Sequence, residues 1–123
     1  MSKTADLRKL IKTQLDTVPG GTYHRKAPKD AAYPYKTFTL KSVTFMDERD
    51  DFDLCVDLWH RGDWKIIEEA ADEIEELFKN TNLPQSTILP TFFREGRYNL
   101  EDPDKTLDHI QLRFSVQLYE LEE

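Results

Sequence analysis

Hydrophobic side chains recur along this chain in two rhythms. Leu7, Leu10, Ile11 and Leu15 fall at helical spacing, joined on that face by the polar Gln14. Thr4 is the expected N-cap, and VPGG at 18–21 ends the helix. TYHRKAPKDAAYP follows, a short extended piece and then a loop held by Pro28 and Pro34. From Tyr35 to Phe45, YKTFTLKSVTF reads as a strand. Its apolar phase changes between Leu40 and Val43, the signature of a bulge.

After an acidic hairpin tip, MDERDD, the residues Phe52, Leu54, Val56 and Leu58 alternate with polar neighbours, which predicts a second strand. His60-Arg61-Gly62-Asp63 then reads as a tight strand-to-helix connection, with Asp63 as the cap. Ile67, Ala70, Ala71, Ile74, Leu77 and Phe78 form the apolar stripe of a second helix. Pro90 and Gly96 interrupt a strand over Thr87–Leu100, which predicts an edge or bulged position. A last strand, about Thr106 to Tyr119, alternates Ile110, Leu112, Phe114, Val116 and Leu118 with polar residues. The order α-β-β-β-α-β-β, with one apolar face per strand, predicts a single α+β domain over 1–123. It has two layers: a mostly antiparallel or mixed sheet of about five strands, and two helices on its dry face.

Composition changes this picture little. The 123 residues are 38% hydrophobic and 33% charged, and no run is apolar enough for a membrane span. The start, MSKTADLRKL, lacks the apolar core of a secretory signal, and Cys55 is the single cysteine; both suit a reducing cytoplasm. Charge is more telling. The net −7 divides into nine Lys/Arg against three Asp/Glu in residues 1–41, and eight against twenty-one in 42–123. Such asymmetry bears on association rather than fold. An acidic domain also lacks the electrostatic footprint of a specific nucleic-acid binder.

The densest chemistry, DLCVDLWHRGDW at 53–64, does not assemble a site. On a strand Cys55 shares its face with Trp59 and with Asp53 and Asp57, whose carboxylates oppose a thiolate, while His60 points the other way. Asp57 and His60 do not converge on a metal, His24 and His109 are isolated in sequence, and the tip MDERDD lacks the glycine and ligand spacing of a calcium loop. Glu68, Glu69, Asp72, Glu73, Glu75 and Glu76 read as the solvated side of the second helix. No glycine-rich phosphate loop is present. The expectation is no catalytic, metal or cofactor site. The residues left for partner contact are Arg25 and Lys26 on the basic side, and Asp47, Glu48, Arg49, Asp50 and Asp51 at the hairpin tip. Together with segment 83–100, the tip Met46–Asp51 is expected to form partner-facing loops.

In arrangement, VPGGTYHRKAPKDAAYPYKTF after a first helix, and a strand ending in Val56-Asp57-Leu58-Trp59 before a second, resemble the tail completion proteins of long-tailed, siphovirus-type bacteriophages and prophages, which belong with the tail terminators. The most telling pieces are Ala27-Pro28, Pro34-Tyr35 and Asp57-Leu58-Trp59, and the resemblance runs from Leu7 to Tyr119. It implies a structural virion protein without enzyme activity, made in the host cytoplasm and incorporated at the head–tail junction. There it would form a homo-oligomeric ring, usually a hexamer, that ends tail-tube polymerisation and provides the head-joining surface. The implied partners are further copies, the tail tube protein and a head-completion or connector protein, with DNA only in passage through the lumen. The uneven charge suits this: two different complementary patches are what a ring interface needs, and an acidic lumen repels DNA. Three alternatives stay open: another neck or minor capsid component, a host adaptor binding a peptide at the sheet edge, and a small thiol enzyme using Cys55.

Overall fold

The computed structural model describes residues 2–46, 49–79, 81–85 and 87–121. Helix α1, Lys3–Leu15, buries Leu7, Leu10, Ile11 and Leu15, so the helical rhythm read from sequence is its core face. The cap lies two residues earlier than expected: Ser2 Oγ accepts the Ala5 N–H at 3.1 Å, and Thr4 sits inside the first turn. Strand β1, Gly21–His24, then pairs in parallel with β2, Tyr35–Met46. Next come β3, Arg49–Arg61, helix α2, Trp64–Phe78, a two-residue β4, Thr81–Asn82, and the long β5, Ile88–Leu100, and β6, Leu107–Glu120.

The expected α+β order is present, and β4 is its addition. The sheet order is β1-β2-β3-β6-β5-β4, antiparallel throughout except for β1 against β2. The predicted bulge appears as a register shift between Ser42 and Thr44. A second shift, between Arg94 and Gly96, accommodates the glycine in β5. Of the two segments expected to face partners as loops, much proves to be strand, and over Thr87–Leu100 this is the bulged strand that the sequence also predicted. The hairpin tip is shorter than Met46–Asp51, because β2 extends to Met46 and β3 begins at Arg49. Within 83–100, Ile88–Leu100 is paired along β6, since its alternation satisfies the ladder on either side of the bulge.

One face of the sheet carries Phe38, Phe52, Leu54, Val56, Leu58, Ile110, Leu112, Phe114, Val116 and Leu118, all buried under the two helices in a single cluster. Phe78 of α2 seats against Phe92 and Phe114, with ring centroids 4.8 and 5.5 Å apart. Burying each such side chain stabilises by about 1.5–3 kcal/mol. At the entry to α2, Gly62 adopts φ +92° and Asp63 Oδ1 accepts the Lys65 N–H at 2.9 Å. The Arg61-Gly62-Asp63 tripeptide is therefore a turn and a cap, as its sequence suggests.

Two charges lie on the dry face. Glu75 of α2, 7% exposed, is gripped by Arg94 and by Arg97, whose Nη1 is 2.9 Å from Oε1. The bulge between these arginines turns both toward the helix. Lys36 is 1% exposed, and its ammonium donates to the carbonyls of Val18 and Gly20 at 3.0 and 2.8 Å. It thereby ties the end of α1 to β2. Burial pulls its pKa down to about 8, against the opposing attraction of Asp16.

Because that value is below the one in the unfolded chain, the charged lysine opposes folding below pH 8, and the penalty is relieved as pH rises toward about 10.5. Lys36→Met removes this titration and leaves two carbonyls without a donor. The variant is expected to be less stable by about 1–3 kcal/mol. The gap between wild type and variant should widen between pH 8 and 10, which urea unfolding at several pH values will measure.

Candidate partner-binding surface

The other face of the sheet is wet, and its residues line up in rows across the strands. Strand pairing sets Tyr35, Trp59, His109 and Leu100 in one row, Thr37, Asp57, Gln111 and Tyr98 in the next, and Thr39, Cys55, Arg113 and Gly96 in a third. The first row is an aromatic ladder. Trp59 stacks on the His109 imidazole at 3.7 Å between centroids and 17° between planes, and Tyr35 lies 6.4 Å from Trp59. Tyr33 and Tyr23 flank Tyr35 at 5.4 and 6.1 Å, and the Arg61 guanidinium lies 5.3 Å from the Tyr33 ring centre. Asp104 pairs with Arg61 at 2.7 Å; hydrogen bonds from Thr106, followed by that from Arg61, hold its carboxyl down to about 2.

Asp57 organises the second row. Its Oδ1 is 2.7 Å from His109 Nε2 and accepts from Gln111 Nε2 at 3.1 Å. Its Oδ2 accepts the Cys55 thiol at 3.7 Å. Burial alone would raise this carboxyl, but the bonds from His109 and Gln111 outweigh it and leave the pKa below the ordinary range. The contribution of this network to stability is present above about pH 4 and is lost as pH falls further. Gln111 Oε1 in turn accepts from Arg113 Nε at 2.9 Å, and the Arg113 guanidinium stands over the Tyr98 ring at 5.5 Å. A fixed polar network thus runs from the aromatic ladder to the edge strand.

Tyrosines close both sides of this face over glycines. A Cβ on Gly21 would lie 2.9 Å from the Tyr23 hydroxyl, and one on Gly96 would lie 2.7 Å from that of Tyr98. In each case a ring two residues along covers bare backbone.

Cys55 opens beside a cavity of about 280 Å³ whose charged lining is Lys41 and Arg113 against Asp53 and Glu95. Burial, and then the neighbouring Asp57, push the thiol up to about 11, as the shared strand face suggested. At neutral pH it is a protonated donor to a carboxylate, and the imidazole nearest that carboxylate stacks on Trp59. The described residues hold no group of three or more His, Cys, Asp and Glu side chains placed to bind a metal.

Of the seven residues singled out for partner contact, the five described ones do not form one patch. Arg25 and Lys26 are exposed just beyond β1, where the Arg25 N–H bonds the Phe38 carbonyl at 2.9 Å and Arg25 takes φ 72°. Arg49, Asp50 and Asp51 open β3 at the far end of β2, roughly 25 Å away by strand rise. Arg49 Nε pairs with Asp51 at 3.0 Å, and Lys3 of α1 pairs with Asp50. Asp47 and Glu48 lie outside the described residues. Sequence reading passed over His109, Gln111, Arg113 and Tyr98. Their parity on the strands was visible, but β3 and β6 are separated by α2, β4 and β5, so no hairpin announced that His109 faces Trp59.

No family model matches the sequence, and no curated protein does. Among solved structures, the fold is similar to that of a chain in the virion of a native gene transfer agent particle. The TM-score is 0.64 at 11% identity, over 96% of this chain and 92% of that one. At this identity the likeness is one of fold.

Replacing Asp57 with Asn keeps the shape of the network but removes the negative charge beside the thiol. The Cys55 pKa is expected to fall below 11 while staying above the ordinary thiol value, because its burial remains. Iodoacetamide alkylation followed by mass spectrometry should then run several-fold faster near pH 9 than in wild type. An unchanged rate would remove Asp57 as a cause.

Proposed function

We propose that this chain is a structural virion protein that assembles as a ring, with six copies, at the head-proximal end of a phage tail. In this reading it ends tube polymerisation, contacts the tail tube protein on one side, and offers a head-completion or connector protein its docking surface on the other. The observation that carries the proposal is the near full-length likeness of fold to a chain of a gene transfer agent virion. The arrangement of VPGG, Ala27-Pro28, Pro34-Tyr35 and Asp57-Leu58-Trp59 adds the tail-terminator assignment to it.

The wet sheet face supports a role in contacts. It is broad, held in place by hydrogen bonds and stacking, and carries aromatic and arginine side chains of the kind that dominate protein interfaces. DNA passes through the lumen without being bound, as the excess of acidic side chains over residues 42–123 favours. The protein works without catalysis; a thiol held up at about 11 and hydrogen-bonded to a carboxylate is poorly disposed to attack.

Deleting the gene from a producing phage and imaging the particles tests the role. Overlong or headless tails are expected, and normal virions would exclude it. In the same phage, Cys55→Ser should leave the yield of infectious particles unchanged. A loss of function from that conservative change would instead favour thiol chemistry.

A further inference from the structure

The strand order leaves the sheet with two outer borders of opposite character. On one side, β4 pairs with β5 only at Thr91 and Phe92, and the Leu83 and Gln85 N–H groups extend this cover back to Pro90 and Ile88. Beyond Phe92, from Phe93 to Leu100, no strand among the described residues pairs with the outer border of β5. An uncovered border of eight residues is a template for another chain. On the other side, among the described residues β1 pairs only with β2, and β1 is followed by the exposed segment that begins Arg25-Lys26.

Charge separates the two borders. At β1 the exposed His24, Arg25 and Lys26 stand together, and Arg8 of α1 is close enough that it and Arg25, after burial, hold the His24 pKa below its ordinary value. At β5 the two cations are withdrawn from the border: Arg94 pairs with Glu75, and Arg97 with Asp72 and Glu75, all on α2. Exposed on β5 and the turn after it are Glu95, which also borders the Cys55 cavity on the wet face, and Glu101, with Asp102 partly exposed, beside the exposed ring of Tyr98. The cation-rich border of one molecule thus matches the anion-rich border of another, and each molecule has one of each.

We infer that the open outer border of β5, Phe93–Leu100, receives the β1 border of a second copy of this chain, with Arg25 and Lys26 of one molecule against Glu95 and Glu101 of the next. Because the two surfaces differ and lie on opposite sides of one sheet, the contact is heterologous and repeats from copy to copy. The inference rests on the ring reading for its occupant, and it adds what that reading lacks: which surface receives the basic segment.

The test uses the whole purified chain in sedimentation velocity over a range of concentrations and salt. Wild type is expected to self-associate, more weakly at high salt. Arg25→Glu with Lys26→Glu, and separately Glu95→Lys with Glu101→Lys, should each weaken association at least tenfold. Asp102 is left alone, because its Oδ1 accepts the Asp104 N–H in the following turn. Circular dichroism and thermal unfolding check that the exposed replacements leave the fold intact. Mixing the two reversed variants restores a complementary pair at every seam, so association should return only in the mixture. A wild type that stays monomeric throughout, reversed variants that associate like wild type, or a mixture that remains monomeric would each overturn the inference. The phage deletion reads the other question independently: association by this seam with normal virions would sink the tail role and leave the seam standing.

Discussion

The pairing of β3 with β6 sets the terms for every other element. Its register runs without a break from Arg49 opposite Tyr119 to Arg61 opposite Leu107, in the centre of the sheet. Once Leu54 faces Phe114 and Val56 faces Leu112, one side of both strands is apolar and must be covered. α1 and α2 supply that cover with stripes of matching width. The same register places Asp57 opposite Gln111 and Trp59 opposite His109, so the wet network follows from the dry core. A slip of one residue would destroy both faces together.

The dry face tolerates two charges because each has a different solution. Glu75 is met by two arginines brought to one side by a bulge, and these arginines stay partly in water, so that only the carboxylate bears most of the desolvation cost. Lys36 makes no ion pair among the described residues and is attracted by Asp16 only from a distance. It is met by the carbonyls of Val18 and Gly20, which solvate an ammonium without neutralising it, and its basicity falls accordingly. The first arrangement joins a helix to the edge strand, the second a helix end to β2. Both are contacts between elements far apart in sequence, which gives polar side chains a share in defining the topology.

Much of the fold was legible because it depended on local periods. The stripe from Ile67 to Phe78, the alternation from Phe52 to Leu58 and from Ile110 to Leu118, and the bulge after Leu40 are each visible within a dozen residues. The reading failed where a local signal was overruled at a distance. Pro90 and Gly96 marked Thr87–Leu100 as an edge or bulged strand, which β5 is; what they left open is that pairing with β6 runs its whole length, so that it does not project as a partner-facing loop. Ser2 rather than Thr4 caps α1, a choice between two competent hydroxyls that spacing alone does not decide. The surface was less legible than the core. Arg25 and Lys26 were found by charge, but the Trp59–His109 stack and the Asp57 network depend on which strands become neighbours.

The bulge in β5 has one more consequence. Glu95 is the residue taken out of register, and the alternation restarts at Gly96. Were Glu95 paired in the regular way, Arg97 would turn outward and Tyr98 would point at α2. The border would exchange an aromatic ring for a cation, and Glu75 would lose half of its grip. What this side of the molecule offers a neighbour is therefore decided by parity: the same residues in the same order, counted one step differently, would present a surface of another kind.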